Sequence, residues 1–182
     1  MTAEKAMYYS AMLQVGLGDS FYQAFDKMLD EEDPLSELTL SLSDCISDVN
    51  AVLHILREYV LDHSVNEQVV CDLILCDIRC RYELGKMSRV DVVTMLYDIA
   101  RILDKGWEGP WLYFYMMSEV VDLYEEGFVS EAVFNKDFDI WWNAEERDVS
   151  KISNQWHEQN NPPRNNGFWS KVRRVFRNST KS

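Results

Sequence analysis

The sequence predicts an all-α protein: a single-domain array of six or seven antiparallel helices, followed by a short basic amphipathic helix at the C-terminus. Three observations carry that expectation. Apolar residues recur with a helical period along most of the chain, and strict two-residue alternation is scarce. The 7 glycines and 4 prolines fall mostly between the periodic stretches. The length, 182 residues, suits one hydrophobic core, because single cores grow to roughly 250 residues before a chain divides.

The elements follow in order. The first helical stretch runs from about Ala3 to Leu29, with Gly16-Leu17-Gly18 as the point where it would break, and the acidic link Asp30-Glu31-Glu32-Asp33-Pro34 ends it. Ser36 is the expected N-cap of the second, which reads as continuing through Asp48-Val49-Asn50 to about Asp62. The third spans Asn66 to Leu84. Its apolar residues go nearly all the way round (Val69, Val70, Leu73, Ile74, Leu75, Ile78), which marks a central helix. Asp77 with Arg81, and Arg79 with Glu83, have ion-pair spacing on it.

Gly85 then closes that helix and Ser88 caps the next, over residues 89 to 104, whose inner face is Val92, Val93, Leu96, Ile99, Ala100 and Leu103. Gly106-Trp107-Glu108-Gly109-Pro110 is a turn. Pro110 is suited to open a helix from Trp111 to Glu126. Gly127 ends it, Ser130 caps the last helix of the body, and Trp141-Trp142 lie near that helix's far end. Two adjacent tryptophans cannot both face one core, so one of them should be partly exposed or covered by something else.

An internal echo links Tyr82-Glu83-Leu84-Gly85-Lys86-Met87-Ser88 to Tyr124-Glu125-Glu126-Gly127-Phe128-Val129-Ser130. Both read as helix, glycine stop, apolar staple, serine cap, helix. A solenoid needs about three repeats, and no third is found. The shared grammar of tight helix–helix turns accounts for the echo better than duplication does.

Charge divides the chain. Residues 151 to 182 hold seven Lys and Arg against one acid, or +6, whereas the first 150 residues hold 11 basic and 30 acidic side chains, or −19. The expected division is an acidic helical domain over 1–148 and a polar linker with a basic extension over 149–182. In the extension, Phe168, Val172, Val175 and Phe176 share one side, with Lys171, Arg174 and Arg177 elsewhere. Three uses fit it: docking on the acidic body, lying on anionic lipid, or contacting nucleic acid. Docking on the body costs least. An acidic body repels nucleic-acid phosphates and anionic membranes, and draws basic partners.

The start has no basic stretch leading into an apolar signal segment. No apolar run reaches the roughly 18 residues of a membrane span. The expected setting is a reducing cytoplasm with Cys45, Cys71, Cys76 and Cys80 as free thiols.

Chemistry-bearing patterns are few. Cys76 and Cys80 are one helical turn apart, with Asp72 on the same stripe, and fit two corners of a zinc tetrahedron. The closing pair is missing, since His54, His63 and His157 are scattered, and cysteine often simply packs. No metal site and no cofactor are therefore assigned. Glu119, Asp122 and Glu126 fall at i, i+3, i+7 on one helix, without the Glu-x-x-His pairs that di-iron bundles require. A solvated face is the plainer account of them. No serine elbow, phosphate-binding glycine loop, dinucleotide fingerprint or HExxH is present.

The expectation is thus a non-enzymatic protein that binds a basic partner through an acidic, aromatic-studded surface, with Asp98, Glu119, Asp122, Glu126, Asp139 and Trp142 as the candidate contacts. In size, acidity and lack of motifs the chain is similar to the immunity proteins that bacteria make against their own nuclease-type toxins. That resemblance is one of composition alone. It implies carboxylates that mimic phosphate in a cationic active site of a toxin. The rivals are a helical metal- or ligand-binding enzyme, and a membrane- or nucleic-acid-associated protein acting through its tail.

Overall fold

The computed structural model describes residues 1–143 of the chain. The described residues form α-helices and one 3-10 turn, with no strand. Eight helices have eight residues or more: α1 Ala3–Gln14, α2 Asp19–Glu31, α3 Glu37–Cys45, α4 Val49–Leu61, α5 Glu67–Glu83, α6 Arg89–Ile102, α8 Ser118–Glu125 and α9 Glu131–Trp142. The four-residue α7, Leu112–Tyr115, follows a 3-10 turn at Gly109–Trp111. The chain divides into a compact unit, Met1–Phe138, and a second, Asp139–Ser182. The polar linker, the basic extension and the amphipathic segment expected beyond residue 148 lie outside the described residues.

Two of the expected helices are split further, each for a local reason. Asp48 does not continue a helix but starts one: its Oδ1 accepts from the backbone N–H groups of Asn50 (3.0 Å) and Ala51 (3.3 Å). That ends α3 and opens α4. The expected helix from Trp111 to Glu126 is interrupted between α7 and α8, where the Ser118 hydroxyl donates to the Tyr115 carbonyl at 2.8 Å and competes with the helical ladder. Ser36 and Ser88 cap α3 and α6 as expected, Ser88 in a full capping box with Asp91.

The central helix is α1, and not α5 as the apolar pattern suggested. Nine of the twelve α1 residues are buried, on all sides of the helix. It packs against α2, α4, α5 and α6. Ala3, Ala6, Ser10 and Ala11 let those neighbours approach closely, and Met7, Met12 and Leu13 fill the gaps. Helix α5 buries Val70, Cys71, Ile74, Leu75 and Ile78 but leaves Val69 exposed.

Burying α1 on all sides also buries the Tyr8 hydroxyl, which needs a partner. Asp77 of α5 supplies it. Its Oδ2 accepts from Tyr8 Oη (2.7 Å) and from Ser20 Oγ of α2 (3.0 Å), and its Oδ1 accepts from Arg81 Nε (2.8 Å). Arg81 also faces Asp19 of α2 at 3.7 Å. One carboxylate thus ties three helices, and the side chains of Asp77 and Arg81 are both mostly shielded from water. Burial above all raises the Tyr8 hydroxyl well above the ordinary tyrosine range; Ser20 opposes the shift and the adjacent Asp77 carboxylate adds to it.

Around α6 a second apolar layer forms from Val92, Val93, Leu96 and Ile99 with Phe114 of α7 and Val121 of α8. Tyr124 of α8 stacks on Phe134 of α9, with ring centroids 4.7 Å apart.

The two echoed turns share one geometry. At Gly85 (φ 69°) and Gly127 (φ 79°) the glycine N–H donates to the carbonyls of Tyr82 and Tyr124, and the next N–H reaches back to Arg81 and Leu123. This is the six-to-one, five-to-two closure that positive φ permits. The same pair of bonds closes α1 at Gly16-Leu17 and α6 at Asp104-Lys105. Four uses of one closure, two of them outside the echo, support shared turn grammar over duplication. A Cβ at Gly85 or Gly127 would meet no atom within 4 Å, so replacing either costs backbone conformation alone. Gly85→Ala and Gly127→Ala should each lower stability by about 1 kcal/mol, or roughly 2–4 °C in Tm. Asp104→Gly, at φ 53°, should leave Tm unchanged or raise it; thermal unfolding of the three variants checks this.

Candidate functional site

Helices α6 and α8 lie side by side and leave a cleft of about 430 Å³ between them. Val93 and Tyr97 of α6 and Val121 of α8 give it an apolar floor. Asp98 of α6 and Glu119, Asp122 and Glu125 of α8 line it with carboxylates, and Trp107 stands at its edge. No lysine or arginine is among the lining residues. None of the four carboxylates makes a hydrogen bond or ion pair among the described residues.

The aromatic edge is built by the turn between α6 and α7. Trp107 is 57% exposed, yet it is stacked on Tyr115, with centroids 4.7 Å apart and planes 19° from parallel. Tyr115 meets Tyr97 edge-on at 5.4 Å and donates its hydroxyl to the Lys105 carbonyl. The turn is pinned from below by Glu67, at the start of α5. Glu67 Oε1 accepts from Lys105 Nζ at 2.5 Å, and Oε2 accepts from Trp111 Nε1 at 2.6 Å. The Lys105 ammonium, above all, holds the Glu67 carboxyl below its ordinary range against the opposing effect of burial, with the Trp111 bond adding to it.

Of the six sequence-predicted contacts, Asp98, Glu119 and Asp122 come together in this cleft. Glu126 is exposed but does not line it: α8 ends at Glu125, and Glu126 is spent as the C-cap residue past the last turn. Glu125, three residues on from Asp122, takes the lining position instead. Asp139 is exposed and Trp142 is buried at 6%, both in the second unit. Trp141 and Trp142 are in fact both buried, so neither is an exposed anchor. Among the described residues, the exposed indole is that of Trp107. Its signal was in the sequence: flanked by Gly106 and Gly109 in a turn, it has no helix face to carry it inward.

Among the described residues, no group of three or more His, Cys, Asp and Glu is placed to hold a metal ion. His54 and His63 are both exposed on or just past α4. No described helix is long and apolar enough to cross a membrane. Comparison with protein-family models, with curated proteins and with solved structures gives no match to this chain.

Because the Glu67 carboxylate is more acidic in the fold than free, its contribution is present above pH ~4.5 and is lost as pH falls through the lowered folded value. Glu67→Gln should therefore destabilise the protein at neutral pH, and the gap from wild type should narrow at pH ~4. Urea unfolding at the two pH values measures it. An undiminished gap at pH ~4 would show that the charge on Glu67 contributes nothing.

Proposed function

We propose that the chain is a non-enzymatic protein-binding protein whose α6–α8 cleft receives the basic surface of another protein, in the manner of an inhibitor or immunity protein. One observation carries the reading. Asp98, Glu119, Asp122 and Glu125 converge on a cleft with an apolar floor and an exposed indole, and none of the four is in an ion pair among the described residues: the nearby Arg101 guanidinium lies over the Tyr97 ring, 5.6 Å from its centroid.

Other acids serve the architecture: Asp77 and Glu67 join helices, and Asp48 and Asp91 cap them. Uncompensated like charges on adjacent helices repel one another, and a cationic partner relieves that repulsion. Tryptophan is among the residue types that most often anchor protein interfaces. Trp107 is held ready by its stack on Tyr115, so little rotamer freedom remains to be lost on binding. In the inhibitor form of the reading, the carboxylates take the place of phosphates in a nucleic-acid-binding cleft of the partner.

The test uses a Lys/Arg-rich peptide as probe and then the native partner. Wild-type protein should bind the peptide with a change in tryptophan fluorescence that Trp107→Phe abolishes. Glu119→Lys combined with Asp122→Lys should weaken binding by about tenfold or more. A protein captured from lysate of the source cells at low salt should elute near 0.5 M salt, where screening reaches within about 5 Å. It should also be absent from captures with the charge-reversed bait. Binding that is indifferent to salt and to charge reversal refutes the proposal.

A further inference from the structure

The four cysteines have different surroundings. Cys71 is buried in the core. Cys45 is half-buried, and its thiol points to the carbonyls of Ser41 (3.4 Å) and Leu42 (3.7 Å). Cys76 and Cys80 are exposed on α5. Cysteine is among the residues most often found buried, and packing accounts for the first two only. An exposed free thiol is a liability to oxidation, so two of them one turn apart call for another use.

Residues four apart on a helix project from one side, with Cβ atoms about 5–6 Å apart. The next acid on that side, Asp72, is held by Gln68 Nε2 at 3.2 Å. Among the described residues no third donor joins the two thiols. Donor number and softness then select the ligand. Calcium and magnesium want oxygen. Structural zinc takes four ligands in a tetrahedron, twice what one chain offers here. Thiolates favour soft cations, and a d¹⁰ monovalent ion of the Cu(I) kind is satisfied by two of them in line. Two metal–sulfur bonds of roughly 2.3 Å each span a little less than the Cβ separation, so side-chain rotation closes the site while α5 stays helical.

We propose that Cys76 and Cys80 form a two-thiolate site for a soft monovalent cation of the Cu(I) type. Binding is a ligand exchange without electron transfer. Each thiol releases its proton to solvent, two S–Cu bonds form, and the carrier's ligands leave, so that the bound unit bears one net negative charge. The site lies on α5, apart from the cleft between α6 and α8, and does not depend on what that cleft binds.

The test titrates the reduced full chain anaerobically into the coloured Cu(I) complex of bicinchoninate. Wild-type protein should withdraw one equivalent of Cu(I). Cys76→Ser and Cys80→Ser, with unchanged far-UV circular dichroism, should each weaken binding by about tenfold or more. Cys45→Ser should bind as wild type does. No competition with bicinchoninate, or competition that survives both single substitutions, overturns the proposal. So does tighter binding of Zn²⁺ accompanied by a doubling of mass in light scattering, which would mean four thiolates from two copies.

Discussion

The Asp77 carboxylate sets what the rest of the fold can be. A helix buried on all sides, as α1 is, has no solvent face to which a polar atom can turn, and Tyr8 places a hydroxyl there. Left unpaired, that group would cost about 1–3 kcal/mol. Asp77 accepts from it and, through Ser20 and Arg81, binds α2 and α5 to the same point. Apolar packing alone would hold α1 in the centre but would leave its rotation and register against α5 loosely specified. A largely shielded charge with three directional partners fixes both, provided each member of the set is present.

A similar device works at a distance from α1. Glu67 opens α5 and joins it to the turn that follows α6, through Lys105 and Trp111. That turn carries Trp107, and Tyr115 ties the indole stack back to the Lys105 carbonyl. Helix α5 thus presents Asp77 to α1 and Glu67 to the rim of the α6–α8 cleft. The acidity of the chain accordingly has two uses. Part of it is architecture, in caps and in these two carboxylate contacts. Another part, on facing sides of α6 and α8, has no partner within the described fold, and the proposed function rests on that part.

Much of the fold was legible because helix boundaries are local chemistry. Gly85, Gly127, Ser36 and Ser88 act where their residue types act in any helix. The misreadings came from competition that periodicity does not register. Asp48 could continue a helix or cap one, and the cap won. The run from Ala6 to Leu13 holds no charge and is buried throughout, whereas the apolar residues of α5, from Val69 to Ile78, go nearly all the way round that helix and suggest the central position for it instead. In the cleft, spacing along α8 found Glu119 and Asp122, yet the choice between Glu125 and Glu126 depended on where the helix stops. Proximity of Asp98 to α8 is a tertiary fact that one helix's pattern does not contain. Adjacent tryptophans on one helix suggest an exposed anchor at Trp141-Trp142, yet both are buried, and the turn residue Trp107 is exposed instead.

A double-mutant cycle on Tyr8 and Asp77 tests this account at its root. Tyr8→Phe, Asp77→Asn and the combination should be compared by urea unfolding at neutral pH. If the carboxylate and the hydroxyl act as one buried unit, the combined loss should fall short of the sum of the single losses by about 1–2 kcal/mol. Additivity to within about 0.5 kcal/mol would mean that the two side chains act independently. Helix α1 would then be positioned by apolar packing without them.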